Sequence, residues 1–175
     1  ANRCFNGAEF PPGLLPRLGI KRVNLARAPV HPENDAPLCP PGCILGEDPA
    51  QDTLIYEEQD ERFFVDVQRS ASARFIYVHT RGNNMDEWRF LDADEPTAVL
   101  QLIAARRKDF EYDVVDHQDR LLIRHNGDGA KDFKISQTPL ATPDYAHWTD
   151  FAPHEPGRLI QRILPCADHL IISER

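Results

Sequence analysis

Apolar and polar side chains alternate in short runs over most of this chain, and the runs are separated by turn residues. From Thr53 onward, β-branched and aromatic residues cluster in stretches of five to eight, broken by Asp, Asn, Gly and Pro. Strands and hairpin turns read in this way. The predicted strands are TLIYEE at 53–58, FFVDVQ at 63–68, RFIYVHT at 74–80, DEWRFLDA at 86–93 and AVLQLI at 98–103. They continue with FEYDVV at 110–115, DRLLIRHN at 119–126, KDFKISQT at 131–138, HWTDF at 147–151, RLIQRILP at 158–165 and HLIISE at 169–174. In FFVDVQ, Phe63, Val65 and Val67 alternate with Phe64, Asp66 and Gln68, so each strand is expected to bury one face and leave the other less covered. No helix of ordinary length is predicted.

Similar hairpins recur: FFVDVQRSASARFIYVHT, YDVVDHQDRLLIRHN and LIQRILPCADHLIISER, with Phe75, Leu121 and Leu170 falling 46 and 49 residues apart. Four-stranded sheets repeating at that period are the mark of a β-propeller, in which each blade hides its faces against its neighbours. DEWRFLDAD and AVLQLI complete a first blade at about 53–104, and KDFKISQT and HWTDF complete a second at about 110–152. A third, at 158–175, has two strands. The expected fold is all-β: a partial propeller of about two and a half antiparallel blades over 45–175, preceded by an irregular, Pro-rich arm at 1–44. Nine of the 15 prolines lie in the first 50 residues, where each would interrupt regular backbone hydrogen bonding. A ring needs about 4 to 8 blades, so the chain is expected to be a piece of a larger wheel.

Composition narrows the class of function. Acidic residues outnumber basic ones 28 to 20, for a net charge of −8, which argues against a nucleic-acid surface. No run of 18 apolar residues and no signal-like hydrophobic segment is present, so a cytoplasmic location with no membrane partner is expected. Four cysteines are too sparse for a disulfide scaffold.

The stretch LGEDPAQDTLIYEEQDERFFVDVQRSASARFIYVH, followed by EWRFLDAD, RRKDFEYDVVDHQDRLLIRHN and GAKDFKI, resembles the propeller domain of oligopeptidase B in the prolyl oligopeptidase clan. These words give a Gly-containing turn, a strand ending in paired acids and then a hairpin, across about 45–175. The resemblance implies a cytoplasmic serine peptidase that cleaves short peptides after Arg or Lys. Its Ser, Asp and His would lie on a separate α/β-hydrolase domain, which the propeller caps to exclude folded proteins. The arm, including RLGIKRVNLARAPVHPENDAPLCPPGC, shows no family pattern.

The chain has four serines, Ser70, Ser72, Ser136 and Ser173, and none stands in the G-x-S-x-G turn that aims a nucleophile. No residue is assigned a catalytic, cofactor-binding or metal-binding role. The expected function is a non-catalytic gating fragment of such a peptidase, inert alone, with peptide substrates and a hydrolase domain as partners. The competing reading is an independent β-rich interaction module with zinc in its arm. Cys39 and Cys43 have a spacing that suits two thiolates on one zinc, with His31, Cys4 or Cys166 to complete the set, but a second clean ligand pair is missing. His79, His117, His125, His147, His154 and His169 follow no metal-binding spacing. His117 is the one to watch, in a turn where its side chain could bond the hairpin backbone.

Several clusters read as structure. Asp92, Asp94 and Glu95 are expected to form a turn before Pro96. Glu57, Glu58, Asp60 and Glu61 are expected to be a solvated hairpin tip, and Arg106, Arg107 and Lys108 an exposed loop able to meet acidic groups on a catalytic domain. Trp88 and Trp148 are expected on strands at matching places in successive blades, packed in the core. End blades with uncovered apolar faces favour association, so the isolated chain is expected to self-associate.

Overall fold

The computed structural model of the chain describes residues 55–95 and 98–175. The arm at 1–44, with Cys4, His31, Cys39 and Cys43, lies outside the described residues.

Among the described residues, ten strands form three antiparallel sheets. The first is a four-stranded meander of β1 (Phe64–Arg69), β2 (Phe75–Gly82), β3 (Met85–Asp92) and β4 (Gln101–Ala104), in that spatial order. β5 (Tyr112–His117), β6 (Arg120–His125), β7 (Lys134–Pro139) and β8 (Thr149–Ala152) repeat the meander, and β9 (Ile160–Pro165) pairs with β10 (Leu170–Glu174). The only helical pieces among the described residues are two three-residue 3-10 turns. This is the expected all-β partial propeller. Turn chemistry sets the hairpins: Ser70 Oγ accepts from Phe75 N at 3.1 Å, while Asn84 and Gln118 occupy the left-handed region at φ 55° and 59°.

The sheets stack face to face. Between the first and second lie Phe75, Tyr77, Trp88, Phe90 and Ile103, packed on Phe110, Tyr112, Val114, Leu121 and Ile123. Leu122, Ile135, Ile160 and Ile163 join the second sheet to the third. Stacking changes the expected alternation. β1 and β5 do alternate, but β2 and β6 are buried on both faces along most of their length. A middle strand has a sheet neighbour on each edge and a stacked sheet over its face, so little of it reaches water.

Three local expectations are corrected. TLIYEE is not a strand in its described part, 55–58; it is an irregular strap, with Ile55 packed on Ile76, Leu91 and Ala93. Glu58 is not solvated. Its carboxylate is buried against Arg106, which also reaches Glu87 at 3.3 Å and lies 4.1 Å from the centroid of the Phe63 ring. Arg106 is thus spent inside the chain, and Arg107 sits 3.9 Å from the Phe110 ring centroid, leaving Lys108 as an exposed loop cation. Trp148 precedes β8 instead of lying within it, and the strand registers equate Trp88, opposite Ala104, with Ile135, opposite Ala152. Trp148 does pack in the aromatic core as expected, against Phe110, Tyr112, His125 and Tyr145.

Candidate functional site

The first two sheets are joined by a polar lock within the apolar contact. A bulge lies between Trp88 and Arg89 in the β3–β4 ladder, which opens a gap that no strand hydrogen bond closes. The Tyr112 hydroxyl enters from β5 and fills it, accepting from Trp88 N at 2.8 Å and donating to Ala104 O at 2.6 Å. Trp88 returns a bond from its indole Nε1 to Tyr112 O at 2.8 Å. Burial pushes the Tyr112 hydroxyl well above the usual phenol range, so it keeps the proton it donates.

Asp86, at the start of β3, is the second tie. Its backbone N donates to Phe110 O at 3.1 Å, and its Oδ2 accepts from Tyr112 N at 3.2 Å. Its Oδ1 lies 2.7 Å from His79 Nε2. With that nitrogen held, the His79 ring stacks on Trp88, with centroids 4.0 Å apart and planes within 10°.

Beside this stack is a cavity of about 450 Å³. It lies where the first strands of all three sheets converge: Gln68 on β1, Asp113 to Val115 on β5, and Gln161 to Ile163 on β9. His79, Trp88 and Arg124 complete the lining. Arg124 is already engaged, through Nη1 to Asp113 at 2.8 Å and through Nε to Ile160 O at 2.7 Å. The site thus combines an aromatic floor, amide side chains and a neutralised ion pair, with the exposed Arg162 at its rim.

The serines take no nucleophilic geometry. Ser70 and Ser72 bond each other in a turn at 3.1 Å, and Ser173 is half-buried on β10, its hydroxyl donating to Gln161 Oε1 at 3.4 Å. Ser136 is buried 2.8 Å from His125 Nε2, the one pair that looks like a nucleophile and its base. The proton is on the wrong atom. Gly127 N donates to His125 Nδ1 at 3.1 Å, so Nε2 carries the hydrogen and donates it to Ser136 Oγ. Burial, reinforced by the Lys134 charge, pushes His125 down to about 4, consistent with the neutral ring. His125 cannot accept the serine proton in this arrangement.

His117 does not bond its hairpin backbone as expected; its Nε2 is buried without a hydrogen-bond partner. Asp92, Asp94 and Glu95 do form a turn, with Asp94 N donating to Asp92 Oδ1 at 2.9 Å. Among the described residues, no group of three His, Cys, Asp or Glu side chains converges to hold a metal ion. None of their helices is long and apolar enough to cross a membrane. Tyr112, Asp86 and His79 were missed as interacting residues. Each appears in the sequence as an ordinary strand position, and the contacts that give it a role come from other strands or sheets.

Stacked four-stranded meanders, with polar first strands converging on a shared cavity, define this as a portion of a β-propeller. Residues 42–175 match the family model described as the prolyl oligopeptidase N-terminal beta-propeller domain, and the chain belongs to that family. It is 34% identical over 131 residues to Protease 2 of Moraxella lacunata, covering 75% of this chain and 19% of that protein. It is 31% identical over 132 residues to dipeptidyl aminopeptidase BI of Pseudoxanthomonas mexicana, covering 75% and 18%. Among solved structures it resembles oligopeptidase B from Leishmania major, with a TM-score of 0.67 at 24% identity over 74% of this chain and 18% of that one. Oligopeptidase B from Trypanosoma brucei, with covalently bound antipain, gives 0.65 at 25% identity over 75% and 19%. The chain thus spans about a fifth of the length of these relatives.

Proposed function

We propose that this chain is the non-catalytic, gating portion of an oligopeptidase B-like serine peptidase that works in the cytoplasm on short peptides, cutting after Arg or Lys. Residues 45–175 act as the propeller and 1–44 as a preceding arm. The observation that carries this reading is the propeller-family match over a region whose serines are all structurally committed or lack a base. Its role is exclusion and positioning: a rigid stack of sheets caps a separate hydrolase domain and admits only flexible chains. The half-exposed Phe64 and Ile171, with Leu102 and Phe151, are surfaces through which the chain alone would self-associate.

The test is incubation of the purified chain with an arginyl-amide substrate. No turnover is expected from the chain alone, and turnover is expected from a protein in which it is joined to a hydrolase domain carrying G-x-S-x-G. Turnover by the chain alone, blocked by a serine-directed reagent, would overturn the non-catalytic reading.

A further inference from the structure

We propose that the cavity shared by β1, β5 and β9 is a subsite for the free carboxylate end of a short peptide, with Arg162 as its anchor. The choice of a peptide as ligand rests on the peptidase reading above; the preference for an anion rests on the cavity itself.

The charge inventory points to an anion. Three charged side chains line the cavity: Asp113, Arg124 and Arg162. Asp113 and Arg124 neutralise each other across 2.8 Å, and Arg124 is held further by the Ile160 carbonyl and by the Phe133 ring, whose centroid is 3.6 Å away. The Asp86 carboxylate lies behind His79 and is occupied there and by Tyr112 N. Arg162 pairs through its backbone with Ser173 in the β9–β10 ladder, but its side chain makes no hydrogen bond or ion pair with another described residue, so it is the one uncompensated charge at the site, positive in a chain of net charge −8. A guanidinium presents a planar pair of donors that matches a carboxylate.

The remaining surface suits the end of a peptide better than an isolated ion. Gln68 offers an amide donor and acceptor and Gln161, whose Oε1 accepts from Ser173 Oγ at 3.4 Å, an amide donor, while the Trp88 and His79 rings, with Val114 and Ile163, make an apolar floor for a side chain. A cavity of about 450 Å³ falls within the usual range for small-ligand sites. Asp86 fixes the His79 ring, so the floor is formed before anything binds.

The experiment is calorimetric titration of the full chain with a tripeptide bearing a free carboxyl terminus, and with the same peptide as its C-terminal amide. The acid should bind roughly tenfold or more tightly than the amide. Arg162→Gln should abolish that difference and Arg162→Lys should keep part of it. Both variants should unfold at the parent temperature, because Arg162 is exposed and holds nothing in place. Equal affinity for acid and amide, or a preference that survives Arg162→Gln, overturns the proposal. Acetate competing as well as the tripeptide acid overturns the assignment to a peptide. Since the readout is binding, a chain that does not gate a peptidase could still pass, and a gating chain with no preference for the acid would fail here alone.

Discussion

Replacing Tyr112 by Phe removes one oxygen and leaves the ring, its packing and the strand register in place. That oxygen closes the β3–β4 bulge from the neighbouring sheet, and its loss strands Trp88 N–H and Ala104 C=O, whose residues are 4% and 5% exposed. A buried polar group left without a partner costs about 1 to 3 kcal/mol. The bulge can relax partly and the hole is too small for a well-bonded water, so the pair together should cost about 2 to 4 kcal/mol. Urea unfolding followed by tryptophan fluorescence measures this directly. The midpoint should fall with the slope unchanged, since the surface exposed on unfolding is nearly the same. Tyr145→Phe is the internal control, because its hydroxyl bonds an exposed Asp128 carboxylate at 2.8 Å and should cost below about 1 kcal/mol. If the two substitutions cost the same, or Tyr112→Phe costs less than about 0.5 kcal/mol, the hydroxyl does not lock the sheets.

Two further outcomes follow from buried ionisable groups. His125 is neutral in the fold with its pKa lowered to about 4, against about 6.5 when unfolded. The unfolded chain therefore takes up the proton first, and stability should be full above pH 6.5 and fall between 6.5 and 4, by up to about 3 kcal/mol. Urea midpoints measured across that window should lose most of this slope in His125→Gln; an unchanged slope would assign the proton elsewhere. For the strap, burial raises the Glu58 pKa, but bonds from Arg106, Asp60 N and Tyr56 outweigh it and lower it overall, so this contribution is lost below about pH 4.5. Glu58→Gln leaves Arg106 with Glu87 and should cost about 1 to 2 kcal/mol, whereas Arg106→Met takes from buried Glu58 its cation, leaving it Asp60 N and Tyr56 while Glu87 keeps Arg89, and should cost about 2 to 3. The reverse ranking by denaturant unfolding would show that Arg106 does not bridge them.

The hairpins were legible because their signals are local: alternation in FFVDVQ, turn residues at Asn83–Asn84 and Gln118–Asp119, and a step of 46 to 49 residues between repeats. What was misread is nonlocal. Glu58 looks solvated among its acidic neighbours because the cation that buries it lies 48 residues away. Trp148 looks like a strand residue because HWTDF alternates, yet Asp144 caps a 3-10 turn there and the indole Nε1 donates to Pro143 O at 2.9 Å, ahead of the strand.

The same distinction explains why the cavity could not be seen in the sequence. In a sheet with one wet face, an Asp or Gln between apolar residues points to solvent, and pattern gives its environment. Here Gln68 stands opposite Tyr77 and Asp66 opposite His79, so polar first-strand side chains share a face with the aromatic core of the middle strands. Along β1 exposure alternates from face to face, whereas the middle strand β2 is buried on both faces over most of its length. Three such polar edges brought together make a lined cavity without any motif to announce it. The chemistry at the convergence of β1, β5 and β9 is therefore free to vary while the stacked middle strands keep the fold.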